Sequence, residues 1–158
     1  MGPFTSPQSS AGIDSGWGPV FVRLALGIPL LIAGAGKVLA IGPKPMGLSG
    51  FAGFLASLGV PFAPIGAWGV GLLELVGGAL LLVGLFVRVT AALVAVDMLV
   101  ATALVHLPNG YPAASNGVEL TLTLSLIALA LVVSGPGVLS IERARLSRAD
   151  RLTDSDPQ

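Results

Sequence analysis

The sequence predicts an all-α integral membrane protein in which four transmembrane helices form one bundle, with a short interfacial helix between the first and second. Of its 158 residues, 54% are hydrophobic and only 10% are charged, and the mean hydropathy is +0.92. Soluble domains are about a quarter charged, so these polar side chains are too few to cover a water-facing surface. Four long apolar runs, separated by Gly and Pro, supply the candidate spans.

The N-terminal region combines a polar arm, a span and a short helix. Residues 1–16 are rich in Ser, Gly and Pro and contain no Lys or Arg, so we expect a flexible arm and a first span that is not cleaved as a signal peptide. That span covers residues 17–39. In the following loop, Ser49 is the expected N-cap and Gly59 the expected stop of a helix too short to cross a bilayer. We place this helix flat at the interface or over the mouth of the bundle. Its apolar residues recur at helical spacing: Phe51, Phe54, Leu55 and Leu58.

Three further apolar runs approach the roughly 20 residues that a helix needs to cross a bilayer. They lack the alternation of a barrel strand, which favours helices. The turn around Gly84 is short, so the second and third spans should form a tight antiparallel hairpin. These spans are residues 64–87, 88–107 and 117–134, completing a domain of residues 17–139 that is followed by a charged tail, residues 140–158.

The distribution of Lys and Arg predicts the orientation. With four spans, both termini and the central turn share one side of the membrane. That side collects Arg23, Arg88 and the four tail arginines, whereas only Lys37 and Lys44 lie opposite. The positive-inside rule therefore places both termini in the cytoplasm.

Ionisable groups inside the spans are the candidate site, because a charge near the bilayer centre costs at least about 2.5 to 3.5 kcal/mol. The rise of about 1.5 Å per residue places Arg23 near the cytoplasmic ends and Glu74 and Asp97 near mid-membrane. An outer group comprises Lys37, His106 and Glu119.

We expect Arg23 to pair with Asp97 or Glu74, and Lys37 to pair with Glu119 directly or through His106. Two interpretations stay open: the pairs fix helix register, or they form an internal polar site for a small ligand or a proton.

Several function classes are excluded or disfavoured. The chain has no cysteine, which excludes a thiolate nucleophile and a protein-held iron–sulfur cluster. His106 is its only histidine, so a His-rich metal site is not expected, and no redox cofactor is encoded. The formal net charge is zero and no basic face can be drawn, so nucleic acid is not an expected partner.

Four motifs resemble the DoxX family of bacterial membrane proteins over about Trp17 to Ile141. They are Arg23-Leu-Ala-Leu-Gly27 with Gly36-Lys37, the loop Gly50 to Pro61, Leu73-Glu-Leu-Val-Gly-Gly78 with Arg88, and His106-Leu-Pro-Asn-Gly110 with Asn116-Gly-Val-Glu119. The resemblance implies a four-helix inner-membrane protein from a group named after a subunit of a thiosulfate:quinone oxidoreductase. It adds Asn109 and Asn116 to the candidate site. Asp97 departs from the pattern, since an Asn or another small polar residue is expected there.

Three functions follow as hypotheses. The first is a membrane subunit of a quinone-linked redox or oxidative-stress system, with quinone received by Lys37, His106 and Glu119 and electrons supplied by soluble partner proteins. The second is a non-catalytic scaffold that anchors soluble partners through the tail. The third is a transporter of a small solute or of protons, for which four helices are few unless the chain forms a homodimer.

Overall fold

The computed structural model describes residues 16–145, and these residues contain helices and turns but no strand. The long elements are α1 (Gly18–Val38), α2 (Gly47–Ser57), α3 (Ala63–Val83), α4 (Val87–Ala101) and α5 (Glu119–Ser134). A π-helical turn, Thr102–His106, and a 3₁₀ turn, Leu107–Asn109, continue α4, and a second 3₁₀ turn spans Ala113–Ser115. Residues 141–145 are also helical. The arm before residue 16 and the tail beyond residue 145 lie outside the described residues.

Within residues 16–145, three helices are long and apolar enough to cross a membrane: α1, α3, and α4 together with its continuation to Asn109. The run predicted as the fourth span forms α5, which is apolar but has only 16 residues. At about 1.5 Å per residue it is about 24 Å long, somewhat less than the roughly 30 Å of a hydrocarbon core. Large apolar side chains on these helices point outward, including Phe21, Ile65 and Val133, as expected for surfaces in contact with lipid.

Helices α1 and α3 pack in close contact because glycines line their interface. A Cβ atom added to Gly78 would lie 2.6 Å from the backbone nitrogen of Leu31, and Gly34 lies directly against the backbone of Glu74 and Leu75. Gly71 meets Val38, at the end of α1, so the first two turns of α3 extend beyond α1. There Gly66 faces Leu55 of α2 instead. This offset determines which polar residues share a level.

The second half of the chain packs around α4. Buried side chains of α1, α3, α4 and α5 form one apolar core that includes Leu26, Leu81, Val94 and Leu131. Where α4 changes to a π-helical turn, its backbone no longer donates every bond to the fourth preceding residue. At that point the Thr102 hydroxyl bonds Met98 O and lies 2.7 Å from Thr121 Oγ1 of α5.

The tight hairpin between the second and third long helices is confirmed. Gly84 ends α3 in the left-handed conformation, with φ of 72°, and α4 begins at Val87. The second span therefore ends earlier than predicted. The short second helix is also confirmed, but it begins at Gly47, so Ser49 lies inside it and is not its N-cap. Gly59, with φ of 77°, follows its end as predicted.

Candidate functional site

The core of the candidate site is an ion pair between α1 and α3. Lys37 Nζ donates to Glu74 Oε2, and within residues 16–145 this is the one salt bridge. Glu74 is only 4% exposed, whereas the Lys37 side chain is 20% exposed. The Phe51 ring of α2 lies 5.0 Å from Lys37 Nζ, a distance suited to a cation–π contact. The ammonium group is therefore held between a carboxylate and an aromatic face.

Asp97 of α4 is the third member of this site. Its carboxylate interacts electrostatically with Glu74, which repels it, and with Lys37, which attracts it. Asp97 Oδ2 is buried and has no hydrogen-bond partner in the part of the chain that the structure describes. We call Lys37, Glu74 and Asp97 the acidic cluster, because it contains two carboxyl groups and only one ammonium group. Such an arrangement is costly in an apolar environment unless one carboxyl is neutral or a further donor binds.

The acidic cluster corrects the predicted depths. Lys37 was expected near the outer ends, one level above Glu74 and Asp97, but it shares their level. The reason is the offset between α1 and α3: Gly34 lies against Glu74, so Lys37, about one turn further along α1, reaches the same carboxylate. Lys37 does not pair with Glu119, contrary to expectation.

An apolar groove lies beside the acidic cluster. It has a volume of about 420 Å³ and lies between α2 and the start of α3, where it is lined by Leu48, Ser49, Ala52, Pro64 and Trp68. A Cβ atom on Gly71 would lie 3.7 Å from both Leu48 Cδ2 and Lys37 Cβ. One wall of the groove therefore borders the site that holds Lys37.

Arg23 is not paired with Asp97 or Glu74, as had been expected. Among the described residues, its guanidinium donates only to backbone carbonyls, and Arg23 is 2% exposed. Nε lies 2.8 Å from Leu81 O and Nη2 lies 3.0 Å from Leu82 O, both in the last turn of α3. Nη1 reaches the oxygens of Pro136 and Leu139 at 2.6 and 2.7 Å. The positive charge thus caps the negative end of α3 and ties it to the segment after α5.

His106, Asn109 and Asn116 stabilise the loop between α4 and α5. His106 Nδ1 lies 2.8 Å from Asn116 O, and because a carbonyl oxygen only accepts, Nδ1 carries the proton. The Asn109 amide donates to Asn116 O at 3.3 Å and to Val105 O at 2.9 Å. Asn116 itself adopts the left-handed conformation, with φ of 63°.

Glu119 belongs to the same loop. It is exposed, and its Oε2 accepts the backbone N–H of Ala113 at 2.9 Å. The loop therefore satisfies its own polar groups. The expected outer pocket of Lys37, His106 and Glu119 is not assembled.

Two contacts were missed from the sequence. Phe51 was assigned only to an apolar helix face, and no local pattern indicates that it lies against Lys37. Glu142 was assigned to the tail, yet its Oε2 accepts Val87 N–H at 3.3 Å, at the start of α4. An acidic residue soon after an apolar helix is a weak signal for such capping, because its partner is distant in sequence.

Comparison with known proteins identifies the family. The model of the DoxX family matches residues 18–107. An uncharacterised protein of Haemophilus influenzae (strain Rd) is 30% identical over 125 residues, which cover 77% of this chain and 86% of that protein. No solved structure matches the chain significantly. The family match covers α1 to the end of α4, including every member of the acidic cluster, and the chain therefore belongs to the DoxX family of membrane proteins.

Proposed function

We propose that this DoxX-family protein is a bacterial inner-membrane subunit of a quinone-linked redox or oxidative-stress system, with the acidic cluster as its quinone site. The observation that carries the proposal is that the buried Glu74 and the buried Oδ2 atom of Asp97 lie beside one ammonium group, Lys37. In this proposal α5 crosses the membrane as a fourth, short span, and both termini are cytoplasmic.

The chemistry of a quinone fits the acidic cluster. Reduction of a quinone to a quinol consumes two electrons and two protons, and its carbonyl oxygens accept hydrogen bonds. Lys37 retains an exposed fraction from which its ammonium can donate to a quinone carbonyl. Asp97, when protonated, is a second donor, and Oδ2 has no competing partner among residues 16–145. Protonated Asp97 can give one proton to the reduced ring and the Lys37 ammonium can give the second.

The surroundings of the acidic cluster also fit an apolar ring. Phe51 already presents an aromatic face next to Lys37. The groove between α2 and the start of α3, with the exposed Trp68 on its wall, supplies an open apolar surface. A quinone dissolved in lipid can approach along this groove without passing through water.

Electrons must come from outside the chain. The sequence has no cysteine and a single histidine, and His106 is committed to Asn116 through Nδ1. A soluble redox protein is therefore required as the donor, and the protein's own residues bind and orient the quinone and transfer protons.

Quinone binding can be measured with decylubiquinone as the probe, added to the purified protein in mild detergent, together with mass spectrometry of co-purifying quinones. The variant Lys37→Met/Glu74→Gln removes the ion pair as a unit. We expect it to bind at least about tenfold more weakly, the loss that follows from removing about 1.4 kcal/mol of hydrogen bonding. Glu119→Gln is the matched control, because it neutralises a carboxylate in the outer loop.

Two outcomes would overturn this assignment. If the wild-type protein retains no quinone and does not bind decylubiquinone, the redox function fails and a scaffold for soluble partners becomes the better hypothesis. If Glu119→Gln loses quinone while the double variant keeps it, the site lies in the outer loop and not at the acidic cluster.

A further inference from the structure

A second polar site lies at the end of the molecule that carries both termini. After α5, the turn of residues 134–138 folds back over the start of α1, and Val138 N–H donates to Gly16 O at 3.0 Å. Next to this turn is an open hollow of about 560 Å³, whose lining includes Gly16, Pro19, Ser134 and Arg143. We call it the terminal hollow.

Two arginines flank the terminal hollow. Arg143 lines it. Arg88, at the start of α4, lies against the same turn, since a Cβ atom on Gly135 would be 3.1 Å from both its Nε and Nη2. Both residues are exposed. Arg88 from the start of α4 and Arg143 from the helical segment after α5 thus bring two positive charges to one turn.

Neither guanidinium group has a partner among residues 16–145. The hydrogen bonds and the salt bridge of this part of the chain include none from the side chain of Arg88 or Arg143. The nearby carboxylate of Glu142 is directed to Val87 N–H instead. Arg23, by contrast, uses its guanidinium for four bonds to carbonyl oxygens. Within the part of the chain that the structure describes, no group competes with a ligand for these exposed arginines.

The surface next to these arginines is apolar. Val133 is 80% exposed and Phe86 is 60% exposed, and Ser134 is the last residue of α5. The terminal hollow therefore lies where an apolar helix ends, at the depth of lipid headgroups. A ligand held here has an anionic part between the arginines and an apolar part along the helices.

We propose that the terminal hollow binds an anionic glycerophospholipid, with its phosphate between Arg88 and Arg143 and its acyl chains along Val133 and Phe86. Arginine suits this role because its planar guanidinium donates two parallel hydrogen bonds to phosphate oxygens. The adjoining apolar surface favours a lipid over a free phosphate ion. This site is independent of the acidic cluster, which lies at a different level of the helices.

The position of Trp17 makes a direct test available. The chain has two tryptophans, and Trp17 adjoins Gly16 of the terminal hollow, so Trp68→Phe leaves one local reporter. This protein is reconstituted in bilayers containing brominated phosphatidylglycerol or, at equal mole fraction, brominated phosphatidylcholine. We expect an apparent association constant about fivefold higher for phosphatidylglycerol, from quenching of Trp17 fluorescence.

Substitutions test whether Arg88 and Arg143 cause the preference for phosphatidylglycerol. Arg88→Gln/Arg143→Gln should abolish the preference, Arg143→Gln alone should reduce it, and Arg145→Gln, another exposed arginine, should keep it. Circular dichroism checks that each variant is helical, and the single variant carries the test if the double variant does not fold. Equal quenching by both lipids, or a preference retained by Arg143→Gln and the double variant, would overturn the proposal. Loss of the preference on adding inorganic phosphate would reassign the hollow to a soluble anion.

Discussion

Two cationic residues of α1, the buried Arg23 and the half-buried Lys37, have opposite surroundings. Arg23 meets only backbone carbonyls, and each nitrogen of its guanidinium donates at least one hydrogen bond. Lys37 meets Glu74 and the ring of Phe51 and retains an exposed fraction. Beside it, Asp97 keeps an oxygen without a partner. One group is fully satisfied by the fold, whereas the other belongs to a site that the fold leaves incomplete.

The difference separates a structural charge from a candidate functional one. Arg23 joins the end of α3 to the segment after α5, so its interactions hold the helices together. Polar groups left unsatisfied in a membrane are destabilising, and they persist where they serve binding or proton transfer. We therefore expect substitutions of Arg23 to act mainly on stability and substitutions in the acidic cluster to act mainly on ligand binding.

The largest effect on stability is expected from Arg23→Leu. Four hydrogen bonds to carbonyl oxygens are lost, and we expect the free energy of unfolding to fall by about 3 kcal/mol or more. Reversible unfolding in detergent, followed by circular dichroism, measures this change. Arg88→Gln is the control and should change stability by less than about 0.5 kcal/mol. A loss no greater than that of the control would show that Arg23 is not the structural link described here.

An intermediate effect is expected in the acidic cluster, and it should be asymmetric. Lys37→Met leaves two carboxyl groups without a cation, whereas after Glu74→Gln the ammonium group still has Asp97 as a counter-charge. We expect a loss of about 2 kcal/mol for Lys37→Met, because the Lys37 side chain is partly exposed, and about 1 kcal/mol for Glu74→Gln. The same unfolding measurement tests both variants and their double variant. Equal losses would mean that Asp97 does not interact with the pair.

The smallest effect on stability is expected from Asp97→Asn. The side chains are similar in size, and Asp97 Oδ2 loses no hydrogen bond because it makes none, so the change should be within about 1 kcal/mol. Decylubiquinone binding should nevertheless weaken, since the amide cannot transfer the acidic proton. A variant that is unstable but binds the quinone normally would reverse the assignment and make Asp97 a structural residue.

Much of the architecture follows from local sequence signals. Apolar runs bounded by glycine and proline predict the long helices, and Gly84 predicts the hairpin between α3 and α4. The predicted helix boundaries were less accurate. Gly84, in the left-handed conformation, ends α3 several residues before the apolar run of the sequence ends. Ser49 was misassigned as a cap because the chain enters α2 earlier than its side-chain pattern suggests.

The polar residues were found more readily than their partners. The cost of charge in a membrane identifies Arg23, Lys37, Glu74 and Asp97 from the sequence alone. Their pairing depends on how far each helix is shifted along its axis relative to its neighbours. The rise per residue gives positions within one helix but not this shift between helices. The glycine contacts between α1 and α3 set that height, and they bring Lys37 to Glu74.

The sequence by itself determined the helical membrane class, the family and the ionisable residues that need an explanation. Composition and periodicity suffice for the membrane class and for these residues, because each span must satisfy its own backbone in lipid. The family was indicated by motifs that resemble it. Only the tertiary structure decided that Arg23 donates to backbone carbonyls and that Phe51 lies against Lys37. It also decided that Arg88 and Arg143 flank one turn. These contacts join residues far apart in the chain, and helix offset and loop path, which no local pattern specifies, bring them together.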